Sequence, residues 1–329
     1  MPSDRKRPII APPRHPPRWA YGFVLLQCVR RVHSNGGATL SESPIKKAVI
    51  AAAGSGTRFL PATKAIPKEM IPLIDRPIIQ YLVEELAASG IEDVVFVSRW
   101  DKKVLEDHFD QHPTLEDALE ASGKERYLVE TRRPGELVNV AYIRQKGPYG
   151  NGTPALNAAS LVGAEPFVYA FGDDLVSSEV PFTSQLIEQY HKTPGLILGA
   201  QRVPRDEVPN YGMIEVDAEM RVTKIVEKPA PAAVTSNLVG FGRYVLPPEL
   251  PAVLGEIPTG KGGELWLMDA IEAYMRRGGA VYACPVRGGR WLTTGDPVNY
   301  LEALFHYGLE REDLRDDLAR IIKRLAKRL

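Results

Sequence analysis

Two glycines and two cationic side chains follow one apolar stretch of the sequence. Lys47–Ala53 is a run of small and branched apolar residues that is typical of a buried strand. Gly54 and Gly56 come next, and glycine lets a backbone approach a phosphate closely because it has no Cβ. The N–H groups of such a turn can bind anionic oxygens, and Arg58 and Lys68 add positive charge. The pattern predicts a nucleotide site used for phosphoryl or nucleotidyl transfer.

This glycine turn matches neither common phosphate-binding motif. The dinucleotide fingerprint needs a third glycine near position 59, which is Phe59, and a P-loop would end in Gly-Lys-Ser/Thr. The alternative interpretation is an ordinary strand-to-helix turn. Arg58 and Lys68, which follow closely, favour the phosphate site over that alternative.

A second set of charged residues follows another predicted strand, Pro166–Phe171. Asp173 and Asp174 come directly after it, at the expected carboxyl edge of the sheet, where ligands of open α/β sheets bind. A carboxylate there is suited to Mg²⁺, which prefers oxygen ligands and often bridges to substrate phosphates. Asp173 is therefore a candidate magnesium ligand, and capping of the next turn is the alternative.

Glu227, Lys228 and Pro229 end a predicted hairpin formed by Met213–Val216 and Val222–Val226. Neighbouring residues on a strand point to opposite faces, so both charges can reach one ligand only if the backbone bends there. Pro229 favours such a bend. Glu227 could then accept hydrogen bonds from sugar hydroxyls, while Lys228 contacts a phosphate.

Together these stretches resemble the bacterial UTP–glucose-1-phosphate uridylyltransferases, in the superfamily of sugar-nucleotide pyrophosphorylases. The similarity covers roughly residues 46–308 in the right order. The matching stretches are residues 52–70, Arg144-Gln145 with Gly150, Gly172-Asp173, Tyr211-Gly212, Glu227-Lys228-Pro229, residues 236–238 and residues 242–246.

The resemblance implies that a sugar 1-phosphate attacks the α-phosphorus of UTP and that pyrophosphate leaves, with Mg²⁺ as cofactor. It implies that Arg58, Lys68 and Asp173 take part in catalysis and that Asp173 also binds the metal. The nucleotide would be bound by Ala53, Gly54, Gly56, Gln145 and Gly150. The sugar phosphate would be bound by Gly212, Glu227 and Lys228.

The sequence departs from the family pattern where a second metal-binding aspartate is expected. The segment Arg290–Gly295 has Thr293 at that position, and a neutral hydroxyl is a poor substitute for a carboxylate on a hard cation. Two alternatives therefore stay open: a weakly active or non-catalytic paralogue that binds nucleotide or sugar phosphate, and a thymidylyltransferase variant. The missing third glycine argues against a dehydrogenase.

Strand-like and helix-like segments alternate from about residue 46, which predicts an α/β fold. We expect a Rossmann-like, mostly parallel sheet with flanking helices and a small β-hairpin excursion that forms the sugar side of the cleft. Residues 45–308 would form the nucleotidyltransferase domain, and residues 309–329 a C-terminal amphipathic helix. Residues 1–44, rich in proline and arginine, would be a disordered extension or an artefact of start-codon choice.

The bulk composition indicates no macromolecular ligand. The 329 residues carry 41 basic and 41 acidic side chains, so we expect neither a nucleic-acid nor a membrane partner. The sequence has 2 cysteines without metal-type spacing, which favours a cytoplasmic location without a disulfide framework. The apolar run Tyr21–Val29 is too short to span a bilayer. We also expect a homo-oligomer.

Overall fold

The apolar stretch after Ile45 forms the central strand of a large sheet. In the computed structural model, which describes residues 45–328, strand β1 (Lys47–Ala51) lies between and parallel to β4 (Asp93–Ser98) and β6 (Phe167–Phe171). Val49 and Ile50 point to opposite faces, and both are fully buried. A central strand covered on both faces needs a continuous apolar run, which is the pattern seen in the sequence.

Nine strands form this sheet within residues 45–328. Their order is β10-β9-β11-β6-β1-β4-β5, with β8 beside β11 and β12 beside β8. Only β10 and β11 run opposite to the others, so the prediction of a mostly parallel sheet is confirmed. The further strands are β5 (Asn139–Arg144), β8 (Leu196–Arg202), β9 (Gly212–Val216), β10 (Val222–Glu227), β11 (Leu238–Leu246) and β12 (Val281–Pro285).

Helices cover both faces of the sheet, as the predicted α/β fold requires. Helix α1 (Ile78–Ala88) and helix α6 (Phe182–Lys192) pack on one face, and α5 (Thr153–Val162), α7 (Leu250–Glu256) and α8 (Leu267–Arg276) pack on the other. Three further helices follow β4 in the chain: α2 (Lys103–His108), α3 (Pro113–Ala121) and α4 (Glu125–Glu136). Two separate apolar clusters therefore form the core, one on each side of the sheet.

The predicted hairpin is present, and it continues the main sheet. Strands β9 and β10 pair antiparallel, and β9 also pairs with β11 through Met213 and Gly212. The hairpin is therefore the edge of the sheet, and its end at Glu227 lies on the same side as the loops that follow the parallel strands.

Two short ribbons lie outside the main sheet. Strands β2 (Pro72–Leu73) and β3 (Arg76–Pro77) pair antiparallel before α1. Strands β7 (Asp174–Ser178) and β13 (Gly289–Thr293) form the second ribbon, in which Asp174 lies opposite Thr293. The sequence analysis did not predict this second ribbon, although β7 begins at Asp174, the second of the two acidic residues after β6.

The C-terminal region differs from the single helix predicted for residues 309–329. Helix α9 (Pro297–Glu310) includes Leu309, and helix α10 covers Arg315–Ala326. The break follows from Arg311, whose backbone is extended and whose side chain binds Asp75 and Asp313. No helix among residues 45–328 is long and apolar enough to cross a membrane. The predicted extension, residues 1–44, lies outside the described residues.

Candidate active site

The loop after β1 packs Lys68 against the glycine turn. Gly56 has a φ of 65°, a left-handed conformation that favours glycine, and its carbonyl accepts a 2.7 Å hydrogen bond from Thr63 Oγ1. Lys68 begins a short 3₁₀ turn, Lys68–Met70. A Cβ placed on Gly54 would lie 3.7 Å from Lys68 Cε. The exposed glycine backbone and the lysine therefore form one surface.

Lys68 pairs with Asp173 across the loops that follow β1 and β6. Lys68 Nζ lies 2.5 Å from Asp173 Oδ2, and the two side chains are 21% and 17% exposed. Burial alone would lower the pKa of Lys68, but the charges of Asp173 and Glu69 raise it above its ordinary value. Burial would likewise raise the pKa of Asp173, yet Lys68 holds that pKa below its usual range. Both groups are thus charged at neutral pH and reach the same space.

Asp174, the next residue, also borders the cleft, but it is only 7% exposed. Its carboxylate accepts hydrogen bonds from the backbone N–H of Gly242 at 2.9 Å and from Trp291 Nε1 at 3.0 Å. Burial, followed by the charge of Asp173, raises the pKa of Asp174 to about 6. The sequence showed a pair of adjacent acids, and in the structure both line the cleft. Asp174 is bound to Gly242 and Trp291, whereas Asp173 pairs with Lys68.

Gly295 is the point at which three polar side chains meet. A Cβ on Gly295 would lie 3.1 Å from Asp173 Oδ2, 3.4 Å from Arg58 Nη1 and 3.5 Å from Thr293 Oγ1. Arg58 Nη1 also donates to the Gly295 carbonyl at 3.3 Å. The neighbouring Asp296 caps α9, because its Oδ1 accepts from the N–H groups of Val298 and Asn299. The Asp296 carboxylate is therefore engaged in capping α9.

Gln145 and Gly150 lie at the end of the site next to β5. The backbone N–H of Gln145 donates to Ser98 O at 2.9 Å, which fixes the segment after β5 beside β4. Gly150 has a φ of 125°, and a Cβ there would lie 2.2 Å from the carbonyl oxygen of Leu265. Only glycine allows this close approach of two loops.

Gly212, Glu227 and Lys228 meet at the open end of the β9–β10 hairpin. Gly212 is paired with Glu227 in the strand register, and a Cβ on Gly212 would lie 3.0 Å from Glu227 Oε2. Lys228 has a φ of 45°, and its N–H donates to Tyr211 O at 3.0 Å. This left-handed residue is the backbone bend that lets both charged side chains face the same cleft.

A single cleft of about 1260 Å³ connects these groups. The cationic side chains of Arg58, Lys68 and Lys228 all line it together with Asp173. The other predicted site residues that line it are Ala53, Gly54, Gln145, Gly150, Gly212 and Glu227. Gly56 is not part of the lining, and its contribution is the shape of the turn.

Comparisons with known proteins show the family to which the chain belongs. The nucleotidyl transferase family model matches residues 47–308. A UTP–glucose-1-phosphate uridylyltransferase of Staphylococcus saprophyticus is 42% identical over 85% of this chain and 98% of its own length. The Bacillus subtilis enzyme of that name is also 42% identical, over 83% of this chain and 94% of its own. The chain belongs to this uridylyltransferase family of nucleotidyl transferases.

Solved structures of similar uridylyltransferases have the same fold. A UDP-glucose pyrophosphorylase from Acinetobacter baumannii is 36% identical, with a TM-score of 0.79 over 85% of this chain and 99% of that one. A UDP-glucose pyrophosphorylase complexed with UDP-glucose is 35% identical, with a TM-score of 0.70 over 81% of this chain and 100% of that one.

Sequence reasoning missed several residues of this uridylyltransferase cleft. Arg99, which follows β4, lines the cleft and pairs with Asp101 at 2.5 Å. The sequence did contain a signal for Arg99, because it follows a predicted strand and ligands bind at the edge of the sheet where parallel strands end. Asn151 also lines the cleft, and its side chain accepts from the N–H of Leu267 at 2.8 Å. No local pattern marks this contact, since it joins segments far apart in sequence.

Proposed function

We propose that this chain transfers a uridylyl group from UTP to a hexose 1-phosphate, with glucose 1-phosphate as the first candidate. An oxygen of the sugar phosphate forms a bond to the α-phosphorus. The bond from that phosphorus to the bridging oxygen breaks, and pyrophosphate leaves. The observation that carries the proposal is the convergence of Arg58, Lys68, Asp173 and Lys228 on one cleft. Such a reaction needs positioning and charge neutralisation rather than a covalent enzyme intermediate.

The phosphate chain of UTP would lie over the glycine turn. The backbone at Ala53 and Gly54 would bind the nucleotide, with Gly56 fixing the turn. Lys68, protonated at neutral pH, would stabilise the negative charge that develops around the α-phosphorus. Arg58 would bind the departing pyrophosphate with its planar guanidinium group.

Asp173 is the residue that would hold Mg²⁺. Its carboxylate faces the cleft, and Mg²⁺ is commonly bound by one or two carboxylates together with substrate phosphates and water. No group of three or more His, Cys, Asp or Glu side chains within residues 45–328 forms a metal cage. The donor set therefore fits a magnesium ion that arrives with the nucleotide, and such an ion supplies charge neutralisation on the phosphate oxygens.

The two ends of the cleft would bind the uracil base of UTP and the hexose. Gln145 and Gly150 would contact the uracil edge, because they lie beside β5 at one end. Gly212 and Glu227 would hold the hexose at the hairpin end, and Lys228 would bind its phosphate. Glu227 would accept hydrogen bonds from particular hydroxyls of the sugar, and the positions of those hydroxyls would determine which hexose is used.

The test is pyrophosphate release from UTP and glucose 1-phosphate with Mg²⁺, followed by a panel of nucleoside triphosphates and hexose 1-phosphates. We expect release only when both substrates are present, and a preference for UTP over dTTP. Arg58→Ala should lower kcat, whereas Arg126→Ala, an exposed arginine on α4, should leave it unchanged. Failure of every substrate pair to release pyrophosphate would reject the proposal.

A weakly active or non-catalytic nucleotide-binding protein is the second candidate, and Thr293 is the observation that favours it. Thr293 lies beside Asp173 at Gly295, where the resemblance places a second metal-binding aspartate. Loss of a metal ligand should weaken binding of the transition state more than binding of UTP. Calorimetry that shows UTP binding without turnover would support this candidate. If it is right, Thr293→Asp should raise the rate.

Several further expectations stay predictions. They concern a homo-oligomer, the absence of nucleic-acid and membrane partners, a cytoplasmic location and the domain limits at residues 45 and 308. Size measurement of the purified chain and stepwise truncation would test the first and the last of these.

A further inference from the structure

A second cavity lies at the far end of strand β9, away from the cleft. Its volume is about 610 Å³, and its lining includes Arg202, Arg205 and Glu215. None of the residues that line this cavity also lines the cleft. Along β9, Glu215 lies three residues beyond Gly212, which at the spacing of a strand is a distance of ~10 Å. The cavity is therefore a separate feature, and the proposed reaction makes no use of it.

The cavity forms where the sheet opens between β9 and the segment that precedes β11. Strand β11 pairs with β9 through two residues, Val239 and Gly240. Residues 235–237, which come before β11, diverge from β9, and the N–H of Ser236 donates to Met213 Sδ at 3.4 Å. Polar side chains on both sides of this gap therefore face one space.

Two arginines that line this cavity have no acidic partner within residues 45–328. Arg202 Nη1 donates to Asn237 Oδ1 at 2.8 Å, and Arg205 Nη2 donates to the carbonyl oxygen of Val234. The same short segment thus fixes one nitrogen of each guanidinium group, and neither group forms an ion pair with a carboxylate of that part of the chain. Each guanidinium has further N–H donors. Two such groups side by side can bind the oxygens of a phosphate through several hydrogen bonds.

Glu215 adds a hydrogen-bond acceptor to the same cavity. Its Oε1 accepts from Thr235 Oγ1 at 2.6 Å and lies 3.2 Å from Lys224 Nζ. Hydrogen bonds from Thr235 and Lys224 lower the pKa of Glu215, so this carboxylate is charged at neutral pH. A bare anion would meet its negative charge, whereas the hydroxyls of a larger ligand can donate to it. The cavity therefore fits a molecule with an anionic end and a hydroxylated end.

We propose that this cavity binds a sugar phosphate. The phosphate would lie on Arg202 and Arg205, and the sugar hydroxyls would donate to Glu215. The volume of the cavity falls within the range of about 300–1,000 Å³ that is typical of small-molecule sites. The inference does not rest on the proposed uridylyl transfer, because none of these residues belongs to the cleft.

Calorimetric titration of the full chain with glucose 6-phosphate tests the proposal. We expect binding that Arg202→Gln and Arg205→Gln each weaken by roughly tenfold, the usual cost of losing charge-assisted hydrogen bonds. The matched control is Arg276→Gln, which changes an arginine of α8 that is 69% exposed and should leave the affinity unaltered. A chain that does not bind glucose 6-phosphate overturns the proposal. Binding that both arginine variants retain and that Lys228→Ala abolishes also overturns it, because Lys228 lines the cleft.

A second variant tests the role of the sugar. Glu215→Gln should weaken the binding of glucose 6-phosphate, because its carboxylate accepts from the sugar hydroxyls. The same variant should not weaken the binding of inorganic phosphate, since removal of the negative charge removes repulsion. Unphosphorylated glucose should not bind to the unchanged chain. Tighter binding of glucose 6-phosphate by Glu215→Gln would contradict the proposal, because the carboxylate would then repel the ligand.

Discussion

Two lysine–carboxylate pairs lie next to each other in this fold, and they differ in what surrounds them. Lys68 pairs with Asp173 at 2.5 Å on the cleft surface. The next residue, Glu69, turns inward and accepts both of its hydrogen bonds from Lys102 Nζ, each at 2.9 Å. In this second pair the side chains are only 1% and 4% exposed. Neighbouring residues of one short turn thus place one pair at the site and one pair beneath it.

The pKa values of the two lysines move in opposite directions. Nearby carboxylates raise the pKa of Lys68 despite its burial. Burial dominates at Lys102 and lowers its pKa, although Glu69 opposes that change. Cleft exposure therefore leaves Lys68 a charge that can be redirected to a phosphate, whereas the charge of Lys102 is committed to Glu69. Glu69 also packs close to Gly172, the residue before Asp173, so the buried pair supports the loop that carries the metal-binding candidate.

The largest effect should come from breaking the buried pair. Lys102→Met leaves Glu69 without its cation, and loss of one partner of a buried ion pair costs about 3–5 kcal/mol of stability. Urea unfolding should show this loss in the free energy of unfolding. Lys103→Met is the control, because Lys103 is 77% exposed and its nearest acid is 3.9 Å away. Glu69→Leu combined with Lys102→Met should regain most of the stability; if it does not, the cost is one of packing and not of charge.

Removal of the cleft lysine should act on the reaction rather than on folding. Lys68→Ala should lower kcat by about 10²–10³-fold, the usual cost of losing one group that stabilises transition-state charge. The midpoint of thermal unfolding should change little by comparison with Lys102→Met. Lys64→Ala, an exposed lysine of the same loop, serves as the kinetic control. A normal kcat in Lys68→Ala would mean that the cleft pair has no part in the chemistry.

The smallest effect concerns a carboxylate that lacks a lysine. Burial and the charge of Asp173 raise the pKa of Asp174 to about 6, above its ordinary value of 3.8. The folded protein therefore takes up this proton before the unfolded chain does, and the free energy of unfolding should rise as the pH falls from 7 towards 4. The contribution is on the order of 2 kcal/mol. Asp174→Asn should remove it, so the difference between the two stability–pH curves is the measurement. If the stability–pH curves of the unchanged protein and of Asp174→Asn run parallel, the raised pKa does not belong to Asp174.

Much of the fold was predictable because its signals are local. The buried strand β1, the amphipathic helix α1 and the hairpin β9–β10 each follow from residues within one short segment. The ribbon of β7 and β13 was not predictable in that way. Its strands lie more than 100 residues apart in sequence, and neither one shows which partner it has. The break between α9 and α10 likewise depends on Arg311, which binds Asp75 from a distant loop.

The sequence by itself determined which chemical groups reach the cleft that we propose binds phosphates: a glycine turn, Arg58, Lys68 and Asp173, all next to strands that had to be buried. It also determined that these groups lie at one edge, because parallel strands end together. Only the tertiary structure decided that the two adjacent acids have different partners. Asp174 accepts hydrogen bonds from Gly242 and Trp291, on two other strands, whereas Asp173 pairs with Lys68. Such a choice depends on partners that are distant in the chain, so no local pattern can encode it.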